Sequence, residues 1–121
     1  DPGLVVSGPF SRTGGVEGME ALLRNDPVPT AVLCANDLIA IGVLDVAQCR
    51  KLRVPDDLAV IGFDDIEAAS LVSPPLTTVL NPAREIGNSC GRLLLDRVTG
   101  SYTSTPRELV VATELIRRAS A

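Results

Sequence analysis

Apolar positions along the chain fall in short blocks separated by Gly, Pro, Asn and Asp. Leu4-Val5-Val6-Ser7 predicts a first strand, closed by Gly8-Pro9. Val16, Met19, Leu22 and Leu23 recur at helical spacing, so a helix begins near Thr13, its candidate cap. It ends at Asn25-Asp26-Pro27-Val28-Pro29, where proline excludes continuation. Thr30 to Cys34 is apolar on both faces, the pattern of a central parallel strand. The next predicted helix, Leu38 to about Cys49, is apolar nearly all round and so requires cover on two sides. The sheet supplies one cover, and a partner subunit is the candidate for the other. Leu58 to Gly62 predicts a strand that runs into Phe63-Asp64-Asp65. A short helical link follows over Ile66–Ser73, and Pro74-Pro75 returns the chain to extended geometry. Leu76–Val79 predicts another strand. Ile86, Cys90, Leu93, Leu94 and Val98 form one stripe of a long helix from Pro82 to Gly100, and Glu108–Val111 and Glu114–Ile116 read as short terminal strands. Strand–helix–strand units in series predict an α/β fold with a doubly wound parallel sheet.

Composition narrows the function classes. The 121 residues are 45% hydrophobic but only 2% aromatic, so one core of ordinary size is built from Val, Leu, Ile and Ala. A net charge of -4 argues against this stretch gripping a phosphate backbone by itself. Cys34, Cys49 and Cys90 lie in or beside apolar runs without CxxC spacing, which predicts buried, reduced thiols in a cytosolic setting. No apolar run has the length of a membrane span. The absence of histidine excludes Ser-His-Asp and Cys-His chemistry within the chain. There is no phosphate-binding glycine loop and no metal-ligand cluster beyond paired acids, so no enzyme activity, cofactor or metal is expected.

Three polar positions share one placement. Asn36 follows the second predicted strand, Asp64 the third and Asn81 the fourth. Parallel strands bring such positions to one edge of the sheet, where open α/β sheets hold their ligands. A carboxylate accepts two hydroxyl hydrogen bonds, and a carboxamide both donates and accepts. That set suits a polyhydroxylated ligand such as a sugar or nucleoside. Each residue also has a plainer role open to it: Asn36 and Asp37 as helix caps, Asp64 and Asp65 as turn residues, Asn81 as an N-cap before Pro82. Phe10 and Ser11 follow the first predicted strand and are weaker candidates for the same edge.

The blocks Pro29-Thr30-Ala31-Val32-Leu33-Cys34-Ala35-Asn36-Asp37, Ala40-Ile41-Gly42, Val54 to Asp65 and Pro74-Pro75-Leu76-Thr77-Thr78-Val79 closely resemble the lactose/galactose-repressor family of bacterial transcription regulators. Gly87, Leu93-Leu94 and the terminal Leu115-Ile116-Arg117-Arg118-Ala119-Ser120 extend the resemblance over essentially the whole chain. It implies a periplasmic-binding-protein-like effector domain in which two α/β subdomains clamp a small molecule. This chain would supply the C-terminal subdomain (residues 1–80), a crossing and long helix normally packed in the N-terminal subdomain (81–104), and returning strands (105–121). It further implies that Asn36, Asp64 and Asn81 contact the effector. Ile39 and Val43 on the apolar helix, with Leu71, Val72 and Pro74 on the following link, would form a homodimer interface. The implied protein is a cytoplasmic, ligand-controlled repressor without a membrane segment, touching operator DNA only through an N-terminal helix-turn-helix outside this chain. An extracytoplasmic sugar-binding transport receptor of the same architecture is the main alternative, and a phospho-accepting receiver domain a remote one.

Two departures carry expectations of their own. The family has glycine where Lys51 stands, so a different helix end is expected there. The long helix from Pro82 lacks its usual partner. Five apolar side chains at about 1.5–3 kcal/mol each leave on the order of 10 kcal/mol of burial unclaimed. That helix is therefore expected to fold back, pack on another copy, or fray.

Overall fold

The computed structural model describes residues 2–121. Its elements are a short 3-10 turn at Pro2–Leu4, α1 (Arg12–Leu22), β1 (Ala31–Leu33), α2 (Asp37–Arg50), β2 (Ala59–Asp64), α3 (Glu67–Leu71), β3 (Thr77–Leu80), α4 (Ala83–Val98) and β4 (Glu114–Ile116). The sheet has four strands in the order β1-β2-β3-β4. The first three are parallel, with Leu33 opposite Ile61 and Asp64 opposite Leu80. β4 returns antiparallel beside β3, so the sheet is mixed rather than wholly parallel.

The core lies between the sheet and α2, from Met19, Val43, Leu44, Val46, Leu58, Val60 and Leu76. The second face of α2 is covered within the chain, by α1. The two helices approach so closely that a Cβ at Gly15 would collide with the Ile39 carbonyl, and one at Gly42 with the Arg12 carbonyl. Two bidentate ion pairs flank the crossing, Arg12–Asp45 and Arg50–Glu20. Ser11, rather than Thr13, caps α1, accepting a 3.1 Å hydrogen bond from the Gly14 N–H.

Several expectations are corrected. Leu4–Ser7 forms no strand: the Val5 N–H is engaged by Pro2 in the 3-10 turn, and the segment lies in the wall of an apolar cavity of about 380 Å³. β1 is consequently an edge strand rather than a central one, with Leu33 77% exposed. Glu108–Val111 is not a strand either: Leu109 and Val111 lie against α4 instead of pairing with the sheet. Lys51 does not change the helix end: it adopts the left-handed conformation itself, φ 60° and ψ 30°, and its N–H closes on the last turn of α2. Only Cys34 is buried. Cys49 lies on the solvent side of the last turn of α2, and Cys90 on α4, where the chain that folds back leaves a gap, so both are exposed.

α4 is an intact helix and is not frayed, yet none of its residues is buried. The chain folds back along part of it. Arg107 pairs with Asp96 at 2.6 Å and lies 4.1 Å from the Tyr102 ring centre, and Leu109 and Val111 face Ile86, Cys90 and Leu93 across a gap of about 350 Å³. Leu94 and Val98 stay 63% and 75% exposed.

Candidate functional site

Each parallel strand delivers one polar residue to the same edge. After β1, the Cys34 N–H bonds the Ile61 carbonyl at 2.8 Å, keeping the chain beside β2 as it turns into α2. Asn36 is the N-cap of α2: its backbone is extended and its Oδ1 accepts from the Ile39 N–H at 2.9 Å. Its side-chain NH₂ has no partner among the described residues. β2 ends on Asp64, paired in register with Leu80, and Asn81 follows directly.

Asp64 and Asn81 meet. The Asn81 Nδ2 donates to Asp64 Oδ1 at 3.0 Å, and the Asn81 N–H reaches the Asp64 carbonyl at 3.4 Å. Asn81 therefore does not cap α4; Pro82 occupies that position without a side-chain bond. Asp64 and Asp65 are turn residues of an unusual kind, at φ 112° and 55°. Side chains rarely occupy that region, and each such residue costs of order 1–3 kcal/mol and persists only where its surroundings hold it. Here three anchors do. Asn81 holds Asp64, Arg118 pairs with Asp65 at 2.7 Å, and the Asp37 carboxylate accepts from the Ile66 N–H at 2.9 Å. The adjacent acids are thus divided in role. Asp65 is neutralised by a half-buried arginine, while Asp64 faces an uncharged amide and keeps capacity to accept further hydrogen bonds.

Three residues that hold this edge escape a reading of the sequence alone: Asp37, Arg118 and Ser120. Asp37 is assigned there to capping, but it is fully buried and bonded to Thr78 Oγ1 at 2.5 Å and to Ile66. The signal for it is Gly62: a glycine inside a strand marks close approach, and a Cβ there would collide with the Asp37 carboxylate. Arg118 and Ser120 lie in the tail. Ser120 Oγ donates to the Val60 carbonyl at 2.6 Å and accepts from the Thr77 N–H at 2.8 Å, while its carbonyl accepts from the Val60 N–H, sealing the sheet below the point where β2 and β3 pair.

Ser11 commits its hydroxyl to the α1 cap, and Phe10 is exposed beside it. Val43 is enclosed in the core at 2% exposure and Ile39 is half-buried against α1, so α1 occupies the place anticipated for a partner subunit. Leu71 is 76% exposed, and Val72 and Pro74 line a groove of about 340 Å³ with Ile41, Leu44 and Gln48. Burial pushes the Cys34 thiol up to about 12, with the nearby Asp37 charge adding to it, which keeps the thiol protonated. Among the described residues no cluster of three or more potential ligands could hold a metal.

A mixed α/β sheet with polar side chains gathered beyond its parallel strands is the architecture of the periplasmic binding protein-like domain, and residues 3–121 match the model of that family. The chain belongs to it. Its relatives are LacI-family transcriptional regulators, and the part of them it matches is the effector-binding domain. It is 38% identical over 117 residues to the HTH-type transcriptional repressor CytR of Escherichia coli (strain K12), covering 97% of this chain and 34% of the repressor. It is 42% identical over 98 residues to the ribose operon repressor of Haemophilus influenzae, covering 81% of this chain and 30% of the repressor. Among solved structures, the transcriptional regulator CelR–cellobiose complex superposes with a TM-score of 0.94 at 40% identity, covering all of this chain and 37% of that one. A LacI family regulator from Arthrobacter sp. FB24 in complex with lactose gives 0.80 at 34% identity, over 92% of this chain and 41% of that one. The chain spans about a third of the length of the curated relatives it matches.

Proposed function

We propose that this chain is the ligand-sensing and dimerising portion of a DNA-binding transcriptional repressor that answers to a sugar or a nucleoside. The observation that carries the reading is the Asp64–Asn81 contact at the carboxyl ends of adjacent parallel strands, with Asn36 at the end of the next strand over. Asp64 accepts from ligand hydroxyls, and the two carboxamides donate and accept. A hydrogen bond to a charged group contributes about 1.5–3 kcal/mol, so Asp64 dominates selectivity. The cellobiose and lactose in the complexes of the similar regulators are ligands of this chemistry.

The site acts by binding alone. Residues up to 80 and the returning strand form the lobe described above, and residues 81–104 cross to a second lobe supplied by a longer chain, which covers the exposed stripe of α4. A ligand that contacts both lobes favours the closed arrangement by its differential affinity, and that difference is what reaches the DNA-binding region. With a net charge of -4, this portion leaves operator contact to a separate N-terminal segment. Leu71, Val72 and Pro74 form the accessible part of the homodimer surface, beside Ile41, Leu44 and Gln48 of α2, while Ile39 and Val43 lie under α1 and do not reach it. The protein works in the cytoplasm, where its repressor relatives meet DNA. In the full-length regulator, Asp64→Ala is expected to abolish the effector response and leave operator binding intact, measured by operator gel shift with and without ligand. Lost operator binding with unchanged effector affinity overturns the assignment.

A further inference from the structure

We infer that Asp37, a residue with no path to the ligand, is the positioning residue that sets the three effector-contact segments in register with one another. The inference rests on the functional reading above and names how that site is held. Asp37 is the first residue of α2 and directly follows Asn36. Its Oδ2 accepts from the Ile66 N–H at 2.9 Å, immediately after the Asp64-Asp65 turn. Its Oδ1 accepts from Thr78 Oγ1 at 2.5 Å, three residues before Asn81 on β3. One buried carboxylate therefore touches each of the three segments that end in a candidate contact. No other side chain does so among the hydrogen bonds of the described residues.

The surroundings are built for it. Asp37 and Thr78 are both fully buried, and the missing side chain at Gly62 leaves the space that the carboxylate fills. Hydrogen bonds to an ionised acceptor are shorter and stronger than neutral ones, and a buried carboxylate left without them is penalised heavily. The Asp64-Asp65 turn has two successive residues at positive φ, so its geometry depends on its anchors. Asn81 and Arg118 fix its side chains. Asp37 fixes the backbone where the turn leaves for α3, and through Thr78 it ties that point to the strand that carries Asn81.

A structural role alone would lower stability and leave the geometry of the folded site unchanged. The discriminating readout is the Asn81 side-chain amide, which reports the contact with Asp64 without any ligand. The test compares wild type, Thr78→Val, Thr78→Ser and Asp37→Asn by ¹H–¹⁵N correlation spectra, with folding checked by circular dichroism and cellobiose as the titrant. Thr78→Val removes only the hydroxyl contact. It is expected to shift the Ile66 backbone and Asn81 side-chain amides and to weaken cellobiose binding about tenfold. Asp37→Asn should move the same signals in the same direction, and Thr78→Ser, which restores the hydroxyl, should return both to wild type. A folded Thr78→Val with an unmoved Asn81 amide and wild-type cellobiose affinity overturns the positioning role; if Asp37→Asn fails to fold, the Thr78 pair still decides. Should the amides move while neither wild type nor any variant binds cellobiose, the positioning stands and the choice of a sugar ligand fails.

Discussion

Lys51 holds a left-handed backbone at the end of α2 without the freedom of glycine. For residues with a Cβ this conformation costs about 1–2 kcal/mol. Glycine would relieve that cost but lose more entropy on folding, an opposing effect of about 0.5–1 kcal/mol. Lys51→Gly is therefore expected to stabilise the chain by about 0.5–1 kcal/mol, read as a rise in the urea midpoint with an unchanged slope. A fall in the midpoint would mean that Lys51 makes a compensating contact. The lysine defeats a simple reading because glycine marks a left-handed position while lysine, at the same φ, gives no sign of it. Asp37 is hidden in the opposite way. Asn36-Asp37 ahead of an apolar run satisfies the rule for a helix cap twice over, and the rule cannot say which residue caps and which turns inward. The structure divides them: Asn36 caps, Asp37 is buried. The positions of Asn36, Asp64 and Asn81 were legible, since Asn36 and Asn81 follow strands and Asp64 ends one. The Asp64–Asn81 contact itself was not, because it depends on the register of β2 against β3.

At the scale of elements, hydrophobic periodicity located α1, α2 and α4 to within a few residues, and the two βα units followed from it. It failed where an element's state depends on what lies beside it. Leu4–Ser7 and Glu108–Val111 have strand composition, but neither is paired into the sheet: the first lines a cavity beside β1 and the second lies against α4. The all-round apolarity of α2 correctly demanded two covers, yet composition cannot distinguish a second subunit from a second helix. The deciding residues are Gly15 and Gly42, which let α1 approach to backbone contact. Gly42→Ala is therefore expected to destabilise the chain by about 1–3 kcal/mol, as overpacking does, despite alanine's better helix propensity. Chemical denaturation measures it directly. A neutral or stabilising result would mean that the helices separate at little cost and that α1 is a weak cover for α2.

For the molecule as a whole, the tail closes the lobe. Ser120 seals β2 to β3, Arg118 reaches from the same tail to Asp65, and β4 returns the chain beside β3. The sheet, the tail and the site turn thus form one connected hydrogen-bonded unit, while α4 lies outside it with an exposed apolar face. In the proposed arrangement, the second lobe would cover that face. The central claim is that the edge formed by Asn36, Asp64 and Asn81 binds polyhydroxylated ligands. It is tested most directly by titrating the ¹⁵N-labelled chain with cellobiose, lactose and ribose and following its amide signals. The account predicts weak, saturable shifts from at least one sugar, concentrated at Asn36, Asp64 and Asn81 and lost in Asp64→Ala. Shifts that cluster elsewhere, as around the apolar cavity beside β1, or that survive Asp64→Ala unchanged, would contradict it.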